Sequence, residues 1–425
     1  MNIVMLTNTF TPHVGGVARS VAAFTAAYRR RGHRVLVVAP EFANMPEHET
    51  DVLRIPAIQH FNGSDFSMVL PVSGLLSDVL DEFEPQMLHA HHPYLLGATA
   101  LRIARFRQCP LVYTHHTLIE QYTHYVPVDS PAVQRFAIEM GTRYANMADQ
   151  VFAPSQSIAA LLKQRGVHVP IAVLPTGVDT AHYAQGDGAG FRTRLGIGQN
   201  AFVIGHLGRL APEKNLEFLA KAIALSMHSN TEMQFLLAGD GPSVPTIKNI
   251  FEIHGVLDRV HFLGVLDFQK QVAAYHAMNL FAFASTSETQ GMVLTEAMAA
   301  GIPVVALDAS GVREVVNDGH NGRLVFEATP AAFAEAIQSV ASLSEDDLQK
   351  MQAAARATAQ EFSMDRHADR AIAIYSSLIR APYNANPHDV DTWESVLRLF
   401  RAEWEMTKNV VAATGVALGK QNLLR

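Results

Sequence analysis

Short apolar runs of strand length alternate with longer amphipathic stretches along most of the chain. Glycine-rich or charged segments follow many of the apolar runs. Residues 3–7 read as a strand, 8–16 as a loop with Pro12 and the pair Gly15-Gly16, and 17–31 as an amphipathic helix closed by Gly32. With a second strand at 35–39 this makes a βαβ unit. Strands are likewise expected at 86–90, 111–114, 148–153 and 171–174, with a capped helix from Pro154-Ser155-Gln156-Ser157 to Gln164. Periodicity then fades: residues 184–200 hold five glycines and scattered charge, and a domain boundary is placed there. Alternation resumes with strands at 202–207, 235–238, 260–263, 280–284 and 302–306, a helix at 216–226, and a helical region from 330 to 379.

The stretch Ser285–Gly301 carries the most information. It lies between two strand candidates, and its helix formers from Met292 to Ala300 end at Gly301, so the loop 285–291 is expected at the carboxyl end of a parallel strand. Free amides at a helix start suit phosphate, whereas Glu288 and Glu296 suit sugar or ribose hydroxyls. The loop 208–215 after another strand holds Arg209 and Lys214, two cations able to neutralise a diphosphate. Gly239-Asp240-Gly241 ends a third strand, and Gly15-Gly16 precedes a helix whose start a phosphate could approach without Cβ obstruction.

The strands at 86–90 and 111–114 run into His89, His91 and His92 and into His115 and His116. Three uses are open for such rings: a metal site, a histidine orienting a sugar hydroxyl or a developing charge, or hydrogen bonds to loop backbone. No carboxylate or cysteine follows at metal-ligand spacing, and one essential histidine is expected. Asp389-Val390-Asp391 is assigned no chemistry.

Composition narrows the class without changing the pattern. At 425 residues the chain exceeds one usual core, and 48% hydrophobic with 17% charged residues describes a globular enzyme rather than a disordered chain. A net charge of −7 gives no reason to expect nucleic acid as a partner. The single cysteine, Cys109, fits a reducing compartment. The N-terminal stretch reads as a strand rather than a leader, and no apolar run is long enough to span a membrane, so a cytoplasmic protein is expected. Residues 392–413 form an expected amphipathic helix with Trp393 and Trp404 on one face, suited to docking on the N-terminal domain or to a membrane surface.

Gly15-Gly16-Val17, Tyr113-Thr114-His115-His116-Thr117, Arg209 with Lys214, Gly239-Asp240-Gly241, and Glu288 with Glu296 occur in an order that resembles the retaining glycosyltransferases of family 4. The resemblance covers residue 1 to about 379. It implies the α/β GT-B fold: two Rossmann-like doubly wound domains facing a cleft, with C-terminal helices returning to the N-domain. With the boundary and the tail read from the pattern, the expected divisions are 1–184 for the acceptor domain, 185–200 for a linker, 201–379 for the nucleotide-sugar domain and 380–425 for a helical extension.

Position by position, the resemblance implies that Glu288 contacts the donor sugar and Glu296 the ribose. It places Arg209 and Lys214 on the diphosphate, His116 near the reacting sugar and Gly16 near phosphate. Donor contacts extend to Gly15, Asp240 and the run Thr289, Gln290, Gly291, Met292 and Val293, with His116, Arg209, Lys214 and Glu288 as the catalytic set. No bound metal and no cofactor are implied; the nucleotide sugar is the co-substrate. Many members carry an aromatic residue before the motif glycine, where this chain has Thr289-Gln290. That departure, with the segment from Glu120 to Pro127, looks like the branch that glucosylates diacylglycerol. This branch implies UDP-glucose as donor, a lipid acceptor near His116, Tyr122 and Tyr125, and an anionic membrane surface as partner at the inner face of the cell membrane. Arg29, Arg30, Arg31, Arg34, Arg102, Arg105 and Arg107 offer a basic face for it, or serve as ordinary helix-end charge. A GDP-mannose-dependent mannosyltransferase, a transferase with a soluble acceptor, and a nucleotide-sugar-binding module without catalysis are the alternatives. Same-face attack and double displacement both remain open for retention.

Overall fold

The computed structural model describes residues 1–13, 15–58, 68–69, 74–118, 131–383, 390–392 and 394. The chain forms two compact units. One comprises Met1–Pro154, Ala159–Leu174 and the chain from Ala368 on; the other comprises Ser155–Ile158 and Pro175–His367.

The first unit is built on seven parallel strands: β1 (Asn2–Leu6), β2 (Arg34–Pro40), β3 (Val52–Ile55), then, after the short hairpin β4 (Ala57–Ile58) and β5 (Met68–Val69), β6 (Met87–Ala90), β7 (Leu111–Thr114), β8 (Gln150–Ala153) and β9 (Ile171–Val173). Their order is β3-β2-β1-β6-β7-β8-β9. Strand order reverses between β1 and β6, so the loops leaving these two strands diverge and open a crevice at the carboxyl edge. β1, β2, β6, β7 and β8 are buried almost throughout, which explains why they read as continuous apolar runs rather than as alternation.

The second unit repeats the plan with six parallel strands: β10 (Val203–Leu207), β11 (Gln234–Ala238), β12 (Val260–Gly264), β13 (Leu280–Phe283), β14 (Val304–Leu307) and β15 (Gly322–Val325), in the order β12-β11-β10-β13-β14-β15. Here the reversal falls between β10 and β13. Two apolar clusters cover the sheet, one gathering Tyr275, Phe281, Met298 and Val312, the other Leu219, Phe235, Phe251 and Phe333.

Two expectations are corrected. The glycine-rich residues 185–200, expected as a linker, are part of the second unit: Gly188–Arg194 is a helix capped by the Asp187 side chain, and its Phe191 belongs to the same core cluster as Val272 and Tyr275. The glycines there give close approach, since a Cβ on Gly188 would sit 2.1 Å from the His276 carbonyl oxygen. The chain enters the second unit at Pro175, earlier than residue 184, because Val178 bonds to Phe362 and Met364 through its backbone and pairs with Ser363.

The helix Met364–Arg380 begins in the second unit and contributes its residues from Ala368 onward to the first. There Tyr375 is fully buried: its hydroxyl lies 2.6 Å from His89 Nδ1 and 3.3 Å from the Tyr28 hydroxyl. The return of a C-terminal helix to the N-terminal unit is therefore fixed by a buried polar chain as well as by apolar contact.

Candidate active site

In the second unit the carboxyl edge beside the β10/β13 reversal gathers the residues singled out from sequence. β10 leads through Gly208 and Arg209 into the turn Pro212–Lys214, and β13 leads into the loop holding Glu288. The Lys214 ammonium donates to Glu288 Oε1, and both side chains are about one-fifth exposed, at 20% and 18%. The Arg209 guanidinium is half exposed and lies 3.9 Å from Glu213, whose side chain is largely covered. The two loops are stitched together: Ser287 donates to the Glu213 carbonyl at 3.2 Å, and Asn215 to the Ala284 carbonyl at 3.2 Å.

The helix Met292–Ala299 starts at Gly291, whose φ of 72° and ψ of 57° place it in the left-handed region that glycine adopts without a Cβ penalty. No side chain caps this start and no acidic residue occupies the first turn, so its leading amides and the positive end of the helix dipole are available to an anion. Asp240 is exposed, and its carboxylate accepts from the Gly241 amide at 2.8 Å, while its carbonyl accepts from Leu210 at 2.9 Å. Gly239 has φ 128°, and a Cβ there would lie 1.8 Å from the Gly208 carbonyl oxygen, so the β11 loop reaches the β10 loop only with glycine.

Two residues of the motif are held more tightly than sequence suggests. Glu296 is 3% exposed, and its Oε2 accepts from the Tyr275 hydroxyl at 2.9 Å and from Gln271 at 3.0 Å. Tyr275 and Gln271 were not foreseen; their four-residue spacing on the helix Phe268–His276 is the signal that places them on one face. Gln290 is 6% exposed, and its side chain pairs with the backbone of Thr176, accepting from the amide at 2.7 Å and donating to the carbonyl at 2.6 Å. Its side chain thus anchors the motif loop to the segment by which the chain enters this unit. Replacing Gln290 by alanine removes both hydrogen bonds from a buried backbone and is expected to lower unfolding stability by roughly 2–4 kcal/mol, read by urea denaturation. His206 is a further group in this unit: burial pushes its imidazole down to about 4, opposed by its hydrogen bond to the Ala282 carbonyl and by Glu288 and reinforced by Lys214. It lies in β10, where an apolar run concealed it.

In the first unit the helix Gly16–Arg30 also starts without a side-chain cap, and a Cβ on Gly16 would meet nothing within 4 Å. Of the five histidines at the ends of β6 and β7, His91 and His116 meet each other and the other three have separate partners. His91 Nδ1 lies 2.8 Å from His116 Nε2, His89 Nε2 lies 2.6 Å from the Thr114 hydroxyl, and His92 Nδ1 accepts from the Asn8 amide at 3.1 Å. His115 Nδ1 lies 3.3 Å from the Tyr113 hydroxyl. Among the described residues no three or more His, Cys, Asp or Glu side chains are grouped to hold a metal ion. Burial keeps all five rings uncharged: His89 and His92 are pushed down to about 3 and His115 to about 4. His91 and His116 are lowered by burial first and by the neighbouring rings second. Tyr122 and Tyr125 lie outside the described residues, as do Trp393 and Trp404.

Two doubly wound units, one with paired cations and carboxylates beside an open helix start, define the nucleotide-sugar transferase class of α/β fold. Residues 14–182 match the model described as Glycosyltransferase Family 4, and residues 190–358 the model described as Glycosyl transferases group 1. The chain is 30% identical over 351 residues to a GDP-mannose-dependent alpha-mannosyltransferase of Mycolicibacterium smegmatis, covering 79% of this chain and 89% of that one. It is 27% identical over 335 residues to an alpha-monoglucosyldiacylglycerol synthase of Streptococcus pneumoniae, covering 77% of this chain and 75% of that one. Anabaena HepE, solved in complex with UDP-glucose, matches with a TM-score of 0.70 at 26% identity over 88% of this chain and 99% of that one. The chain belongs to the family 4 glycosyltransferases, and it is a glycosyltransferase of GT-B fold.

Proposed function

We propose that the protein moves glucose from UDP-glucose to the hydroxyl of a diacylglycerol-type lipid with retention of configuration and without a bound metal. The observation that carries the donor half is the Lys214–Glu288 pair beside the uncapped helix start at Gly291. Arg209, Lys214 and the leading amides of that helix would stabilise negative charge as it builds on the leaving diphosphate. Glu288 would take sugar hydroxyls, with Thr289 to Val293 around them; Glu296 would take the ribose, and Asp240 would lie at the edge of the donor. Gly15 and Gly16 would lie near phosphate, and His116 would face the reacting sugar and the incoming hydroxyl.

The lipid half is supported by likeness to the pneumococcal diacylglycerol-glucosylating enzyme. The basic face gives it less support, because several of its arginines are engaged within the first unit. Arg29 donates to the carbonyls of Val35, Thr50 and Asp51, Arg31 pairs with Asp369, Arg102 with Glu394, and Arg107 with Asp81. Attachment at the inner face of the cell membrane would then depend mainly on the acceptor and on residues near Tyr122, Tyr125 and the tryptophan-bearing tail. No helix of the described residues is long and apolar enough to cross a membrane.

A GDP-mannose-dependent mannosyltransferase is the second reading, favoured by the 30% identity to the mycobacterial enzyme. Purified protein offered radiolabelled UDP-glucose, UDP-galactose or GDP-mannose with dioleoylglycerol in mixed micelles separates the two. Transfer of an α-linked glucose, unchanged by EDTA, is the expected outcome. Turnover of GDP-mannose alone replaces the donor assignment, and binding of UDP with no transfer to any acceptor would leave a binding module.

A further inference from the structure

We propose that His91 is a positioning residue that fixes the ring of His116 in the tautomer carrying its proton on Nδ1. The register His89↔Val112 and Ala90↔Tyr113 sets the ends of β6 and β7 side by side, which brings the two following histidines together. His91 Nδ1 and His116 Nε2 are 2.8 Å apart, and the ring centroids are 5.1 Å apart with an interplanar angle of 27°. On its other side His91 packs against His89, ring to ring at 4.1 Å.

Both rings are neutral, so each carries one N–H, and only one of the two facing nitrogens can hold the shared proton. If His116 donates from Nε2, His91 must accept at Nδ1 and carry its own proton on Nε2. That atom is buried and has no hydrogen-bond partner among the described residues, so the arrangement would bury an orphaned N–H donor. If His91 donates from Nδ1, the same buried atom is an unprotonated acceptor. Orphaned donors are the rarer and costlier kind, and the second arrangement wins. His116 then accepts at Nε2, and its other nitrogen, Nδ1, becomes a hydrogen-bond donor. This tautomer suits holding the lone pair of a sugar or acceptor oxygen; it does not suit taking a proton at Nδ1.

The catalytic part of this inference rests on the proposed role of His116 at the reacting sugar; the tautomer does not. Long-range ¹H–¹⁵N correlation spectra of histidine-labelled protein, with His116 assigned by its loss in His116→Gln, should show a protonated Nδ1 and a pyridine-type Nε2 on His116. In His91→Leu that preference should be lost, and kcat with UDP-glucose and dioleoylglycerol should fall roughly 10-fold at little change in donor KM, a loss of the size seen when an orienting partner is removed. His91→Asn, which keeps an amide donor near the Nδ1 position, should restore both readouts. A protonated Nε2 on His116 in the unaltered protein overturns the assignment even if no variant folds. A tautomer shift in His91→Leu with unchanged kcat overturns the positioning role. Normal turnover by His116→Gln beside a protonated Nδ1 in the parent removes His116 from the chemistry, while the ring arrangement stands.

Discussion

Alanine at Lys214 or at Glu288 is expected to reduce turnover by at least about 10²-fold with the fold retained, the loss that follows removal of one preorganised transition-state partner. The ammonium and carboxylate form a single contact at the β10/β13 edge, next to the uncapped helix start. In this contact each neutralises the other. In the proposed donor complex the same two groups would have separate tasks, the cation toward phosphate oxygens and the carboxylate toward hydroxyls. Removing either one would then both delete a donor contact and leave the remaining charge without its partner. The double variant should lose little more than either single one, because groups that act as a unit are strongly non-additive. Steady-state kcat with the donor selected by the panel, alongside far-UV circular dichroism, reads the effect. Near-normal turnover in either single variant takes that residue out of the site.

Acid should destabilise the first unit well before its carboxylates are protonated. In the folded unit His89, His92 and His115 remain neutral down to about 3, 3 and 4, because burial excludes the charged ring. In the unfolded chain an ordinary histidine takes up its proton near pH 6.5. Between those limits the unfolded state binds more protons than the folded one, so stability rises with pH across the window and falls on acidification. Each such ring contributes a slope of up to about 1.4 kcal/mol per pH unit, so the three together add up to about 4 kcal/mol per unit near pH 5 and less toward pH 6 and pH 4. His91 and His116 are shifted the same way and steepen the loss. Urea unfolding midpoints at intervals from pH 7.5 to 4.5 should be flat above 7 and drop steeply below 6. A midpoint unchanged from pH 7 to 5 would show that the rings titrate normally in place.

The strand-loop-helix units were legible because a buried parallel strand is mostly apolar and its loop is abruptly polar; β13 and β14 follow this rule fully, and β10 and β11 do so apart from His206 and Gln234. β3 and β15 escaped because their exposures are mixed, giving neither a solid apolar run nor a clean alternation. The helix Gly188–Arg194 escaped because its glycines look like a linker to any local rule, although Gly188 is there for close packing on His276 and Gly190 for the Asp187 cap. Arg209, Lys214, Glu288 and Gly291 stand out in sequence only together, as cations, a carboxylate and a glycine in loops after successive strands; singly each reads as an ordinary solvated turn, and the fold brings Lys214 onto Glu288.

What sequence alone determined is the class of fold and which charged, polar and glycine residues lie in the loops at the carboxyl ends of the strands, because these follow from local period and from residues close in the chain. Tertiary structure alone decided the pairings. Gln290 closes on Thr176, 114 residues away, and Glu296 is held by Tyr275 and Gln271. His91 meets His116 across two strands, and Tyr375 reaches His89 from a helix 286 residues further on. Hydrogen-bond partners distant in sequence are set by strand order and register, and no local propensity encodes them.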